Sequence, residues 1–246
     1  MSGPLVSASA AFVAKNSRKP PFAIEQSLRF DMSGTPKLTR TAGTPTDGKK
    51  FTVSFWIKKC EQEGGGAPAA RFWDAYSGSG NQFHMQFGDG GADILNLSPG
   101  ELSNGGQSNA QFRDNSAWYH IVWAWDSVNQ TFKSWSSGVE LTWSNTTTPA
   151  LNGVTSLTKS GTPVQIGKIN ANAVDMYLAE VHVVDGQALD HEDFGEYDDN
   201  GVWRPIEYTG TYGDEGYYLK FDPTATNGIG HDHSGNGNNF TPTGFT

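Results

Sequence analysis

The chain has 246 residues, 30 of them glycine, with 14 Phe, 8 Trp and 8 Tyr but only 17% charged residues, which is the composition of short aromatic strands joined by tight turns. Its length suits one all-β unit, since such sandwiches reach roughly 200–250 residues as a single domain and bury enough surface to fold without disulfides or metals. A net charge of −9, with basic residues gathered only at Lys15, Arg18 and Lys19, argues against a nucleic-acid partner. The single Cys60 excludes an internal disulfide, and the sequence has no apolar run long enough for membrane insertion.

Residues 1–25 are mostly small and polar, pass through Lys15, Arg18 and Lys19, and carry Pro20-Pro21, with no sustained period. They read as an N-terminal arm, a composition that equally suits a disordered tail, with residues 26–246 as the globular unit. Met1 to Lys19 lacks a charged leader followed by an apolar block, so export by a cleaved signal is not expected. An arm this polar orders only by lying against something, either its own globule or a neighbouring subunit.

Strands are expected from Ser27 to Phe30 and from Phe51 to Lys58. The second alternates Phe51, Val53, Phe55 and Ile57 against Thr52, Ser54, Trp56 and Lys58, as a half-buried strand does. Further strands are expected at Ala70–Tyr76, Gln82–Phe87 and Asp93–Leu97. Trp118 to Trp125 is apolar on both faces and should be central. Thr131–Trp135 and Val139–Trp143 flank Ser136-Ser137-Gly138, a hairpin signal. Pro163–Lys168, Met176–Val184 and Gly216–Phe221 complete the set, with one helical turn near Asp190–Tyr197 that Asp190 can cap. Many short strands at near-regular spacing predict an all-β fold, a sandwich of two antiparallel sheets.

Four segments in order resemble the concanavalin-like, laminin-G-like superfamily, in the variant found in structural proteins of tailed phages. They are Ser27–Phe30 with Leu38-Thr39-Arg40 and Phe51–Lys58, then Trp118–Asp126, Tyr177–Leu189 and Asp232–Phe240. The resemblance spans residues 27–246. It implies a jelly roll whose first and last strands pair, with rim loops free to bind glycan, metal or protein. It also implies a virion structural protein, a tail-fibre component or capsid decoration, that is located on the particle and held to other virion proteins and to its own copies through the arm. A host cell-surface glycan is a further expected partner. The second reading is a free carbohydrate-binding module and the third a glycan hydrolase, because this fold hosts all three.

Catalysis is not expected. A retaining glycanase on this scaffold needs two carboxylates about 5 Å apart, and the Glu-x-Asp-x-x-Glu pattern that supplies them is missing. The cluster Glu192, Asp193, Glu196, Asp198 and Asp199 reads as a helix cap and solvated loop. No Gly-x-Ser-x-Gly elbow occurs, and Cys60 has no nucleophile signature. No cofactor is required; calcium is plausible in the superfamily, and Asp232, Asn236 and Asn238 are the weak candidates for holding it, against a Gly-Asn turn whose side chains bond their own backbone. For ligand binding the candidates are the flat rings of Trp203, Tyr208, Tyr212 and Trp143, the first three within an aromatic loop over residues 201–213. That loop has a second reading, as a cover folded over a sheet.

Overall fold

The computed structural model describes residues 22–31, 34–60, 70–76, 82–88, 93–98, 106–144, 148–167 and 175–245. The arm expected over residues 1–25 lies outside these except for Phe22–Glu25. The described residues form a two-sheet antiparallel sandwich, as the sequence predicts.

The first sheet holds β1 (Leu28–Phe30), β3 (Lys50–Lys59), β8 (Tyr119–Asp126), β9 (Thr131–Ser136), β10 (Val139–Glu140), β13 (Met176–Asp185) and β16 (Tyr217–Leu219). Its order is β1-β13-β3-β8-β9-β10, with β16 also pairing β13. The second sheet holds β2 (Lys37–Thr41), β4 (Ala70–Tyr76), β5 (Gln82–Phe87), β6 (Ile94–Ser98), β7 (Gly106–Gln111), β11 (Trp143–Ser144), β12 (Pro163–Gly167) and β17 (Thr241–Thr243), in the order β11-β7-β6-β5-β4-β12-β2-β17. The final strand, β17, thus pairs with β2 and not with β1, which lies in the first sheet, so the first and last strands do not pair as the resemblance implies. Phe51, Val53, Phe55 and Ile57 of β3 are fully buried between the sheets, against Trp73, Phe83 and Met85 of the second sheet and Trp123 of β8. Phe83 and Trp123 stack across this interface with centroids 5.2 Å apart.

Three expectations need correction. The run Val139–Trp143 is not one strand: Val139 and Glu140 complete a hairpin through Ser137 and Gly138, whose φ of 47° and 83° suit the turn. The chain then crosses, and Trp143 and Ser144 pair with β7 in the other sheet. Second, the helical turn contracts to a 3₁₀ turn, His191–Asp193, in which Asp190 caps as expected, and Gly195–Tyr197 leaves it as a strand. Third, β3 is not half-buried, since Thr52 and Ser54 on its supposed solvent face are 0% and 1% exposed. Residues 186–216 lie across that outer face, so the polar alternation faces a second interior and not water.

A bulge in β13 sets which side chains meet that second interior. Ala179 pairs with Trp56 and His182 with Ser54, so three steps on β13 match two on β3, and Glu180 takes up the extra residue with φ 48°. Met176 and Leu178 before the bulge, and Val181 and Val183 after it, consequently all face the sandwich core. His182 and Val184 are turned to the outer face. Among the described residues no helix is long and apolar enough to cross a membrane.

Candidate functional site

The cover over the first sheet consists of the turn at His191–Asp193, the two-stranded hairpin β14 (Gly195–Tyr197) and β15 (Trp203–Pro205), and the loop that follows to residue 216. Three of its aromatic side chains turn inward: Phe194 and Tyr212 join Val122, Ala124, Trp135 and Val184 in a second apolar cluster, with Tyr208, Leu189 and Tyr218 at its edge. Tyr208 and Tyr212, expected as sugar-stacking residues, are therefore placed under the cover. Tyr212 hydroxyl lies 2.8 Å from His182 Nδ1, and Tyr208 stacks on Phe194 at 4.9 Å. Burial raises both phenol pKa values, that of Tyr208 to about 12.

Trp203 fastens the hairpin to the sheet. Its ring sits between glycines at two places, since a Cβ on either Gly195 or Gly138 would collide with the indole. Its Nε1 donates to His120 Nδ1 at 2.9 Å, and His120 Nε2 lies 2.9 Å from Ser54 Oγ. An indole N–H can only donate, so Nδ1 must be the accepting nitrogen. Burial, aided by nearby His191, holds the His120 pKa down at about 3. The neutral ring then carries its one proton on Nε2 and donates it to Ser54. A nucleophile and base pair needs the opposite, an imidazole nitrogen free to take the hydroxyl proton. Ser54 and His120 thus form a structural relay.

The same rings form a stack of alternating tryptophan and histidine. Trp56 lies 4.9 Å from His120, His120 6.0 Å from Trp203, Trp203 5.3 Å from His191 and His191 5.0 Å from Trp135, each pair within 24° of parallel. Beside it, Tyr218 stacks on His182 at 4.1 Å and donates its hydroxyl to Glu180. Burial raises the Glu180 pKa, and burial lowers that of His182 to about 3, with His120 and Lys220 adding to the latter.

Where the cover ends, a groove of about 1270 Å³ opens. One wall is the segment Phe22–Ser27, the floor carries Trp56 and Ala179, Trp118 stands at the strand entry, and the β14–β15 hairpin supplies the far wall with Glu196–Asn200 and Trp203–Pro205. Trp118 is 36% exposed and Tyr197 51% exposed. Trp118 is held edge-on by Tyr177 at 6.4 Å, and Tyr197 edge-on by Trp203 at 4.9 Å. Asp198 organises the hairpin turn: its carboxylate accepts from the backbone N–H groups of Asn200 and Val202 and from Arg204 Nε at 3.0 Å. Those bonds hold its pKa below the usual carboxylate range, the Val202 N–H contributing most. The acid cluster of the sequence thus divides into Glu192 and Asp193, in the turn that Asp190 caps, and a groove wall, Glu196 with Asp198 and Asp199.

Of the expected ligand-binding residues, Trp203 alone lines this groove. Trp143 is in the other sheet, on its edge strand, where its Nε1 donates to Ser134 Oγ at 2.7 Å and its ring packs on Phe132. Trp56, Trp118 and Tyr197 were not singled out by sequence, although Trp56 gave a signal as the one large aromatic on an otherwise polar strand face.

The metal candidates do not fit a cation. Asp232 accepts from the N–H groups of Tyr218, Ser234 and Asn238 and from the Ser234 hydroxyl. Asn238 Oδ1 accepts from Arg40, and Asn236 points its amide N–H at the carbonyls of Gly213 and Gly216. Calcium requires about six to eight oxygen ligands, and these oxygens already close a turn. Among the described residues no group of three or more His, Cys, Asp or Glu side chains is placed to hold a metal.

No family model matches the chain, and no curated protein matches it. Among solved structures it is similar to a Bacteroides ovatus protein proposed to bind carbohydrate, with a TM-score of 0.65 at 16% identity over 92% of this chain and 60% of that one. The chain thus spans 60% of that protein's length. A pentraxin from Limulus polyphemus aligns at TM-score 0.49 and 17% identity over 69% and 80% of the two chains. Mouse laminin α1 domains LG4-5 align at 0.46 and 11% over 78% and 48%. The first likeness is one of fold: a two-sheet antiparallel jelly roll.

The buried histidines give the fold an acid limit. With folded pKa values near 3 against an ordinary 6.5, His120 and His182 take up protons only on unfolding, so stability is full above pH 6.5 and is lost as pH falls below it. Each contributes about 1.4 kcal/mol per pH unit in that window. Glu180 opposes them, its raised pKa adding stability that is present below its ordinary 4.5 and lost as pH rises through the folded value. Asp74, raised by burial, acts with Glu180, and His84, held at about 4 by burial, acts with the other two histidines; three imidazoles outweigh two carboxyls, so the thermal midpoint should fall from pH 7 to pH 5, and imidazole NMR resonances of His120 and His182 should stay at their neutral positions throughout. A flat midpoint, with either ring titrating near 6.5, would contradict the buried relay.

Proposed function

We propose that this chain is a glycan-recognition module without a reaction of its own, and that the groove between Phe22–Ser27 and the β14–β15 hairpin is its binding surface. The observation that carries this reading is the convergence of four aromatic side chains, Trp56, Trp118, Tyr197 and Trp203, on one groove edged by carboxylates, an amide and a guanidinium. Flat apolar rings stack on the C–H faces of sugar rings, and side chains at the edge exchange hydrogen bonds with hydroxyls. The jelly roll supports the reading, as does its likeness to a protein proposed to bind carbohydrate. Trp203 is anchored by its relay to Ser54, with Tyr208 and Tyr212 supporting the cover from beneath. Replacing Trp118 by Ala should weaken binding of soluble hexose oligosaccharides, measured by calorimetry, by about tenfold or more. The same change at Tyr76, 48% exposed on β4 of the other sheet, should leave it unchanged. Equal loss in both variants, or in neither, removes the groove as the site.

We further propose that the module is carried on a virion, in a tail fibre or as a capsid decoration, with residues 1–25 joining it to other virion proteins and to its own copies. The sequence resemblance over residues 27–246 to structural proteins of tailed phages supports this. Sedimentation of the full chain should then show an oligomer that removal of residues 1–25 converts to a monomer. A full chain that stays monomeric at all concentrations tells against assembly through the arm.

A further inference from the structure

The charges along the groove are lopsided. Glu25 from the Phe22–Ser27 wall and Glu196, Asp198 and Asp199 from the hairpin face it, against the single guanidinium of Arg204, whose Nε is already bonded to Asp198. Glu196 is exposed, and neither it nor Glu25 makes a hydrogen bond or ion pair with a described residue. Among the described residues, then, two carboxylates without an ion pair stand on different segments of the groove lining, in a chain of net charge −9. A carboxylate accepts well from a sugar hydroxyl, so such walls suit an uncharged chain. A uronate, sialate or sulfate brought between them meets like charge, and the one cation among the described lining residues, Arg204, is already paired with Asp198.

We propose that the groove is selective for uncharged hexose polymers and rejects acidic glycans, with Glu25 and Glu196 as the residues that impose the choice. This rests on the reading of the groove as a glycan site and goes beyond it, because aromatic stacking alone does not distinguish a neutral sugar from its uronate. The aromatic rings supply affinity in this scheme; the two walls supply the discrimination.

The test uses the full chain and neutral hexose tetrasaccharides of several linkages, each paired with its fully oxidised uronate, titrated at low and at moderate ionic strength. Wild-type protein should bind at least one neutral member and prefer it to the matched uronate by roughly tenfold or more at low salt, the gap narrowing as salt is added. The E25Q/E196Q variant should gain uronate binding by a similar factor, so that the ratio of neutral to uronate affinity falls toward one. That gain is not something a misfolded variant can produce. Wild-type protein that binds a neutral sugar and its uronate equally, or a variant whose preference is unchanged, overturns the selectivity while leaving the glycan site standing. Binding to no member of either series removes the glycan reading, and the selectivity with it.

Discussion

The hydrogen bond from the Trp203 indole to His120 is the contact on which the outer half of this molecule depends. Because an indole only donates, it fixes the tautomer of a buried imidazole, and that tautomer in turn fixes the direction of the bond to Ser54. One interaction thus ties the cover to a central strand, settles a proton that would otherwise be ambiguous, and removes the serine from any nucleophilic role. It stands in a run of five near-parallel rings from Trp56 to Trp135, where each histidine is flanked by tryptophans. A charged imidazole at His120 would be buried with its two ring nitrogens against an indole and a serine hydroxyl and no carboxylate, which is why that ring is neutral.

The cover explains the groove. A jelly-roll sheet usually presents one face to solvent, but here residues 186–216 seal most of that face and stop at Trp56 and Ala179. The edge of the seal leaves a trough whose aromatic walls are already braced, Trp203 by its relay and by two glycines that admit it, Trp118 by Tyr177, and Tyr197 by Trp203. Rings held this way lose little rotamer freedom when a ligand stacks on them, so more of the contact energy is left for affinity. The bulge at Glu180 belongs to the same design, since without its extra residue His182 and Val184 would face the sandwich core and the cover would have nothing to close upon.

Much of the sandwich was legible because strand period is a local property. Phe51, Val53, Phe55 and Ile57 announce an inward face whatever lies beyond them, and Ala70–Tyr76 and Gln82–Phe87 were bounded correctly by their Gly-rich flanks. Strand β7, Gly106–Gln111, escaped notice since its side chains are almost wholly polar, and β17 is a short edge strand whose pairing with β2 is long-range. The site was less legible for a physical reason. Thr52, Ser54 and Trp56 have the same alternation whether water or a folded-back segment covers them, so burial of the second face cannot be read from period 2. The aromatic loop over residues 201–213 was rightly identified as a concentration of rings, yet its two readings, ligand surface and sheet cover, differ only in which way each ring points. The structure divides them: Tyr208 and Tyr212 under the cover, Trp203 at its margin.

The central claim is that the groove at the margin of the cover, and no other aromatic surface, receives sugar. Indole N–H signals resolve this residue by residue, because the eight tryptophans sample core, cover, groove and opposite sheet separately. On titration with a bound neutral oligosaccharide the signals of Trp56 and Trp118 should move, with a smaller change at Trp203, while Trp73, Trp123 and Trp125 in the core and Trp143 on the far sheet stay fixed. Movement confined to Trp143, or binding that shifts none of the groove indoles, would contradict the account.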